Sequence, residues 1–263
     1  MTSGEWRCDR VDGIIIVRCS ALATIPGIAH AFSTRLGPDG AGFDLGPAGP
    51  AAGVFQERRA AFLRAAGLGG SLANLPRQVH GVEIVDVRAI VDGTEADGVI
   101  ASFEHGLARY APAIRTADCV PLLLADRCGR AVVAVHGGWR GTAAGIAQAA
   151  VRAVASRGVA ACDLVVAMGP SIRSCCYEVG DEVIAALAES SRESLHLGRG
   201  PSGRSTVDLS SVHRSQLVAV GVGAGDIHDA PWCTRCRNDL FFSARAEGDR
   251  AGRMMAVIGS AAA

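Results

Sequence analysis

The stretch Cys119-Val-Pro-Leu-Leu-Leu-Ala-Asp-Arg-Cys-Gly-Arg-Ala-Val-Val-Ala-Val-His136 predicts a β-hairpin at the centre of the fold. Its two apolar runs, residues 120–125 and 131–135, flank a segment with an aspartate at its entry and a glycine near its exit, which is the composition of a turn. A turn centred just after Arg127 would place Cys119 directly opposite His136. Directly opposite residues share a face, with Cβ atoms about 4.5–5.5 Å apart, so a thiolate and an imidazole could hold one metal ion there.

His80, in Arg77-Gln-Val-His-Gly81, is the candidate for a third metal ligand. It stands at the entry of a predicted strand, residues 82–87, where a side chain tends to point into a cleft. Three protein ligands leave one coordination position open, which is typical of a catalytic zinc site, whereas structural zinc is usually closed by four. Taken singly, Cys119 and His136 are more simply explained as a buried thiol and a hydrogen-bonded imidazole. The glycine-rich segments that follow two of the three residues favour the metal site.

The composition is that of an ordinary globular protein of 263 residues, with 49% hydrophobic and 20% charged residues. The 26 basic residues, all arginine, balance 26 acidic ones, so the charge predicts neither a nucleic-acid nor a membrane partner. Nine cysteines, an odd number spread over the chain, do not form a disulfide framework. No basic flank and apolar stretch of a secretory signal opens the sequence. We therefore expect a cytoplasmic protein with reduced cysteines.

Strands and helices are mixed without a regular βαβ alternation, which predicts an α+β fold and a single domain. A long loop is predicted over residues 37–53, where Gly, Pro and Ala are frequent. Besides the hairpin, strands are predicted over residues 11–17, 28–32, 82–87, 98–102, 164–168 and 254–258, the last closing the sheet. Helices are predicted over residues 54–66, 142–156, 181–194 and 208–220, with Gly67 ending the first, Thr142 capping the second and aspartates opening the last two.

Two features beside the predicted metal ligands bear on chemistry. Asp118 is a candidate to orient a metal ligand or to relay a proton. His136-Gly-Gly-Trp-Arg-Gly141 ends a strand and opens a helix, so its glycines permit close approach of a ligand, and Arg140 with the helix amides favours an anion. The segment lacks the spacing of a phosphate-binding P-loop, so nucleoside triphosphate binding is not indicated.

Four further cysteines occur in two glycine- or arginine-rich loops. The adjacent pair Cys175 and Cys176 lies in a loop, residues 169–180, that follows the strand predicted over residues 164–168. We expect this loop to lie along the same cleft. The pair could supply a fourth ligand, a redox couple or packing, and packing is the default. Cys233-Thr-Arg-Cys236 has half of a zinc-finger spacing but no second half in the sequence, so a closed structural zinc site is not expected.

Six motifs occur in order along the chain: Arg77-Gln-Val-His-Gly81, Thr116-Ala-Asp-Cys-Val-Pro121, His136-Gly-Gly-Trp-Arg-Gly141, Gly169-Pro-Ser-Ile172, Cys175-Cys-Tyr-Glu-Val-Gly180 and Asp239-Leu-Phe-Phe-Ser-Ala-Arg245. None of the six is specific alone, but the ordered set is. By this set the chain resembles the YfiH/YlmD family, long labelled multicopper polyphenol oxidase or laccase, and the match runs from about Phe32 to the carboxyl end.

The resemblance implies a single YfiH-like catalytic domain over residues 1–263, with four layers in the order α/β/β/α, similar to the catalytic domain of cytotoxic necrotizing factor. It implies a zinc-dependent purine nucleoside phosphorylase acting on adenosine, inosine and methylthioadenosine, with adenosine deaminase activity. Copper could replace zinc, because it binds such sites more tightly. The metal ligands that the family implies are His80, Cys119 and His136.

The predicted substrates are small molecules, a nucleoside and phosphate, and the oligomeric state is left open. Deamination needs a hydroxide at the purine ring, which a zinc-bound water with a pKa of about 7 can supply. Bidentate guanidinium contacts suit phosphate. The candidates for the phosphate are Arg35, Arg77 and Arg140, with Gln78 as a further substrate contact and Cys119 and Asp118 as catalytic residues.

Three alternatives stand beside this hypothesis. A multicopper oxidase is disfavoured, because its copper sites are built mostly from histidines, commonly in His-x-His pairs, whereas this chain has seven histidines and no such pair. A hydrolase that removes wrongly incorporated serine from a muramyl precursor could use the same metal site and cysteine. A non-catalytic module would use the metal for stability alone.

Overall fold

Two β-sheets stacked face to face form the centre of the fold in a computed structural model, which describes residues 5–46, 52–102, 109–190, 195, 197–200 and 202–261. The strands are β1 (Trp6–Val11), β2 (Ile14–Cys19), β3 (Ile28–Ser33), β4 (Leu36–Gly37), β5 (Gly40–Ala41), β6 (Ile84–Asp86), β7 (Gly98–Ser102), β8 (Ala113–Thr116), β9 (Val120–Asp126), β10 (Ala131–Gly137), β11 (Leu164–Met168), β12 (Gly198–Arg199), β13 (Ser205–Thr206), β14 (Ile227–Asp229) and β15 (Met254–Ser260). The helices are α1 (Ser20–Ala23), α2 (Ala52–Ala66), α3 (Trp139–Ala143), α4 (Ile146–Ala155), α5 (Asp181–Ser190), α6 (Leu209–Ala219) and α7 (Ala244–Glu247).

The two large sheets differ in strand direction. The five-stranded sheet has the order β1-β2-β3-β15-β8, and its neighbours are antiparallel. The six-stranded sheet has the order β14-β11-β9-β10-β7-β6 and is mixed, because β14 runs parallel to β11 and β6 runs parallel to β7. The predicted mixed α+β architecture is confirmed.

The central hairpin, β9 and β10, is covered on both faces. Leu122 and Leu124 pack with apolar side chains of α4 and α6, whereas Leu123 and Ala125 pack against the five-stranded sheet. Because both faces are buried, the hairpin strands are continuous apolar runs in the sequence, not alternating ones. On the far side, Phe62 of α2 packs on Ile14 and Ile16 of the five-stranded sheet. The layers therefore follow the predicted order α/β/β/α.

The register of the central hairpin differs from the predicted one by two residues. His136 pairs with Pro121 and Gly137 pairs with Val120, so Cys119 lies just before β9 and is not directly opposite His136. The reason is the turn, whose centre follows Cys128, with the next residue, a glycine, in the left-handed region at φ 69°. A shift of two residues keeps every side chain on its predicted face, so the thiol and the imidazole still share one.

Two strand predictions near the chain ends were wrong in detail. Residues 11–17 are not one strand: Asp12 and Gly13, with φ of 49° and 81°, make the tight turn between β1 and β2. An Asp-Gly pair between apolar runs is a strong hairpin signal that the strand prediction overlooked. Strand β15 does not close the sheet but lies inside it, between β3 and β8. Strands β8 and β14 were not predicted.

The other predicted bounds hold in part. The strand predicted over residues 82–87 is shorter, β6 alone. The loop predicted over residues 37–53 contains β5 and the start of α2, and its residues 47–51 lie outside the described part of the chain. Residues 191–194, predicted to continue α5, also lie outside the described part.

The helix predicted over residues 142–156 is two helices. Gly145, with φ 86°, separates α3 from α4, because the left-handed region interrupts a helix. Thr142 does not cap a helix; its hydroxyl donates to the carbonyl of Gly138 at 2.9 Å. The glycine end of α2 at Gly67 and the Asp208 cap of α6 are confirmed. No helix in the described ranges has both the length and the apolar composition needed to cross a bilayer.

Acid is expected to destabilise the fold through His30. Its ring lies 1% exposed in β3, and its Nε2 accepts a hydrogen bond from the backbone N–H of Cys19 at 2.9 Å. Burial, with Arg18 and Arg7 nearby, lowers the pKa of His30 from 6.5 to about 3. The neutral ring therefore contributes stability above pH 6.5, and that contribution is lost as the pH falls towards about 3. Between pH 6.5 and about pH 5 the loss is roughly 2 kcal/mol.

Urea unfolding at the two pH values measures this loss. In His30→Gln the amide oxygen can accept the same bond without titrating, so the variant should lose less stability over this interval. An equal loss in both proteins would contradict the assignment to His30.

Candidate metal centre

His136, the last but one residue of β10, is fixed by Asp97, the residue just before β7. The ring is 4% exposed, and its Nδ1 lies 2.7 Å from Oδ1 of Asp97. The backbone N–H of His136 also donates to the carbonyl of Asp97 at 2.7 Å. A carboxylate on Nδ1 sets the tautomer and leaves Nε2 as the nitrogen that can bind a metal.

The same carboxylate holds the loop that carries His80. Its oxygens accept backbone N–H bonds from Val79, His80 and Gly81 at 3.0, 3.0 and 2.7 Å. His80 has φ 59°, a conformation that a residue with a side chain adopts only where its surroundings enforce it. Asp97 supplies that enforcement, and its position relates the two histidines to each other.

His80, Cys119 and His136 converge. One ligand atom from each lies within 4.8 Å of the others, and the two rings meet nearly edge to face with centroids 4.7 Å apart. Gly138 keeps the space clear, because a Cβ there would overlap His80 Nδ1 and lie 3.4 Å from Cys119 Sγ. Two imidazoles and one thiolate are a donor set that suits zinc and that leaves a position for a reactant.

The electrostatics of these residues favour a cation. Burial lowers the pKa of His136, but the negative charge of Cys119 and the hydrogen bond to Asp97 outweigh it and raise the pKa to about 9. Burial raises the pKa of Asp97, but the bonds from His136 and the backbone amides outweigh it and lower the pKa. Burial and the neighbouring His136 lower the pKa of His80, which keeps that ring neutral, as a metal ligand must be.

A cavity of about 390 Å³ opens over the three residues. Its other walls come from the loop before β6, from β8 and from the start of α7. A second cavity, of about 560 Å³, adjoins it, and Arg77 and Arg115 line both. We call these two neighbouring cavities, with the candidate metal centre in the smaller one, the arginine cleft.

The comparison with known proteins identifies the family. A family model described as multi-copper polyphenol oxidoreductase laccase matches residues 30–261. The crystal structure of YlmD from Geobacillus stearothermophilus superposes with a TM-score of 0.84 at 28% identity, over 98% of this chain and 99% of that one. The chain belongs to the YfiH/YlmD family.

Two relatives in this family carry enzyme names. A purine nucleoside phosphorylase of Deinococcus radiodurans is 34% identical over 253 residues, which are 94% of this chain and 93% of the relative. Adenosine deaminase RL5, from an unknown prokaryotic organism, is 36% identical over 187 residues, which are 68% of this chain and 71% of the relative. These names support an enzymatic function in nucleoside chemistry for the YfiH/YlmD member described here.

Among the residues that the structure describes, no second histidine-containing metal centre supports the laccase part of the family description. Within the described ranges, two groups of side chains could hold a metal, and only the group of His80, Cys119 and His136 contains histidine. A trinuclear copper cluster needs many histidines. The choice between zinc and copper therefore concerns one site with three ligands.

Asp118, predicted as a catalytic residue, precedes Cys119 and lies 8% exposed. One carboxylate oxygen accepts a bond from the Thr234 hydroxyl at 2.6 Å, and the other accepts the backbone N–H of Arg245 at 2.7 Å. The residue has φ 92°. These two bonds fix the turn that presents Cys119. They connect that turn to Thr234, in the loop after β14, and to Arg245 in α7.

The four predicted substrate contacts lie in different surroundings. Arg35 donates to the carbonyl of Asn238 and to Glu247, and stacks on Phe242, so its guanidinium is engaged away from the metal centre. Arg140 is exposed and stacks on Trp139 at 4.4 Å. The two that line the cavity over the metal centre are Arg77, which pairs with Glu95, and Gln78, whose amide exchanges two hydrogen bonds of 2.8 Å with the backbone of Arg115.

The sequence interpretation missed Asp97, Arg115 and Arg253. Asp97 precedes a predicted strand and looks like an ordinary turn residue, and nothing local indicates that it serves two histidines. Arg115 is one arginine among 26 basic residues. The signal that could have found it is its place on a strand, β8, of otherwise buried residues.

Replacing Asp97 with asparagine is expected to weaken metal binding at this centre by about 10–100-fold. Each carboxylate oxygen accepts from two donors, so an amide would turn its NH₂ group towards N–H groups whichever way it is oriented. Competition with a chelating indicator measures the affinity. The control is Asp249→Asn, at an exposed position, and equal affinities in the two variants would contradict the role of Asp97.

Proposed function

We propose that the chain is a zinc-dependent purine nucleoside phosphorylase for adenosine, inosine and methylthioadenosine, with adenosine deaminase activity at the same site. The observation that carries the proposal is an open three-ligand metal centre at the end of a cleft lined by arginines. The names of the two relatives support both activities. The partners are then small molecules, and we expect the protein to work in the cytoplasm without nucleic acid or membrane.

Zinc is the metal that we propose. His80, Cys119 and His136 provide its usual donors, and when bound it supplies a Lewis acid that activates water or polarises a substrate atom. Asp97 orients the His136 imidazole and holds the backbone of the loop that carries His80. Copper can replace zinc at such a site, because its affinity is generally higher, and a laccase-like activity would follow from that replacement.

Arg115 is our principal candidate for the phosphate, ahead of the arginines predicted from the sequence. Burial, with Arg59 and Arg253 beside it, lowers the pKa of Arg115 to about 10. Its guanidinium has no hydrogen-bond or ion-pair partner in the described part of the chain, and Nε of Arg59 is buried and also unpartnered there. Three arginines gathered here outnumber Asp44, the one acid that acts on Arg115, and such a cationic cluster favours a dianion.

The reaction then divides between the two ends of the arginine cleft. Phosphorolysis joins a phosphate oxygen to the anomeric carbon of the sugar as the carbon–nitrogen bond to the purine breaks, and the base leaves with a proton. We propose that Arg115, with Arg77 and Arg253, holds the phosphate, and that Gln78 contacts the substrate. Asp118, held by Thr234 and Arg245, positions the adjacent Cys119 and is our candidate for moving the proton.

Product analysis tests the proposal. The zinc-loaded protein, incubated with inosine and phosphate, should yield hypoxanthine and ribose 1-phosphate in equal amounts. With adenosine and no phosphate it should yield inosine and ammonia. A protein that contains zinc at this centre yet forms none of these products would refute the proposal, and release of serine from a muramyl precursor instead would favour the hydrolase.

A further inference from the structure

The four cysteines of the two loops that the sequence interpretation kept apart meet at one place. Cys175 and Cys176 lie in the loop after β11, and Cys233 and Cys236 lie in the loop after β14. Because β11 and β14 are parallel neighbours, the loops at their carboxyl ends leave the sheet at the same edge. One sulfur atom from each of the four lies within 4.8 Å of the others. Cys175 and Cys176 thus supply the two further ligands that the sequence around Cys233 lacks.

The distances fit a shared metal ion better than disulfides. Sγ of Cys236 lies 3.5 Å from Sγ of Cys175 and 3.4 Å from Sγ of Cys176, whereas a disulfide bond is about 2.05 Å long. A zinc ion bound by four thiolates at about 2.3 Å places the sulfur atoms about 3.8 Å apart in a tetrahedron. All nine cysteines of the chain are free thiols in the structure.

We propose that Cys175, Cys176, Cys233 and Cys236 form a closed, tetrahedral zinc site, separate from the centre at His80, Cys119 and His136. Four protein ligands leave no position for a reactant, so the site is structural. Metal binding displaces the protons of the thiols that are not yet ionised.

The closeness of the four sulfurs suits a cation. Four thiolates within 4.8 Å of one another would repel, and a divalent ion bound among them would remove that repulsion.

The zinc would tie the first metal centre to the rest of the fold. Ser171 and Cys233 form a parallel bridge, and the backbone N–H of Thr234 donates to the carbonyl of Ser171 at 3.0 Å. The Thr234 hydroxyl donates to Asp118, the residue before Cys119. A metal that fixes the two loops thus fixes the turn that presents Cys119 to the catalytic zinc.

Metal counting on the full-length chain, expressed with added zinc, tests the proposal. Wild type should contain about two zinc ions per chain and His80→Ala/His136→Ala about one, because that variant keeps only the four-cysteine site. Adding Cys233→Ser and Cys236→Ser should remove the remaining ion. The matched control, Cys128→Ser/Cys162→Ser, changes two exposed thiols outside the cluster and should keep both ions.

Zinc-free His80→Ala/His136→Ala would overturn the proposal, and so would iron with inorganic sulfide in place of zinc. This count needs no variant of the four cysteines, so it decides even where the serine variants do not fold. Thiol titration of the native wild type provides a second readout: five of the nine thiols, Cys119 and the four of the cluster, should be protected and become reactive when a strong chelator is added. Two disulfides, seen as the loss of four hydrogen atoms in the intact mass, would also overturn it.

Discussion

Cys119→Ala is expected to remove the catalytic metal and to lower kcat/KM for inosine phosphorolysis by about 10³-fold or more. Cys119 is the sulfur ligand of the three, and its thiolate is the main cause of the raised pKa of His136, so its loss takes away both a ligand and the local negative charge. A metal acting as a Lewis acid contributes several kcal/mol to the transition state, and about 4 kcal/mol corresponds to this factor. Zinc content and initial rates on the same preparation measure the two effects together.

The control for this experiment is Cys128→Ala, in the turn of the same hairpin, where the thiol is exposed. It should retain zinc and rate. A Cys119→Ala protein that lost its metal but kept its rate would show that the metal is structural, and one that kept its metal without activity would show that the thiol acts on the substrate directly.

Arg115→Gln is expected to separate the two proposed activities. It should raise the KM for phosphate by about 10–150-fold, because a charge-assisted hydrogen bond contributes about 1.5–3 kcal/mol. Adenosine deamination uses water in place of phosphate and should change by less than about threefold by the same reasoning. Rates with varied phosphate for inosine, and rates of ammonia release from adenosine, give both numbers.

Two further observations complete this test. Arg10→Gln, at an exposed position of β1, should leave both activities unchanged. If Arg115→Gln lowered both activities equally, the guanidinium would support the fold of the cleft and not the phosphate. Arg77 would then be the principal candidate for binding the phosphate.

The sequence determined the parts of the fold that depend on local pattern. The apolar runs of the central hairpin predicted its two strands, and β9 and β10 form there, buried along their whole length. The parity of Cys119 and His136 along those runs predicted that they share a face, and this survived the two-residue error in register. Parity depends only on the alternation of side chains, whereas register depends on the turn, which a glycine at positive φ shifted.

Tertiary structure decided which residues serve those ligands. Asp97 reaches His136 across 39 positions of sequence, and Arg115 joins the cleft through its place on β8 beside β15. The residues next to such a carboxylate or arginine in the sequence form no pattern that indicates its distant contact. The motifs that carried the family resemblance supplied the three candidate metal ligands, but not Asp97, which orients the ring of His136 and holds the backbone of His80.

The four clustered cysteines show most clearly which properties depend on local sequence and which depend on tertiary packing. The sequence around Cys233 and Cys236 contains half of a zinc site, and no local pattern connects it with Cys175 and Cys176, which lie about 60 positions away. The parallel pairing of β11 with β14 brings both loops to one edge of the sheet. Local sequence determines what a loop can bind, but the order of strands in the sheet decides which loops lie together, because that order results from packing the whole chain.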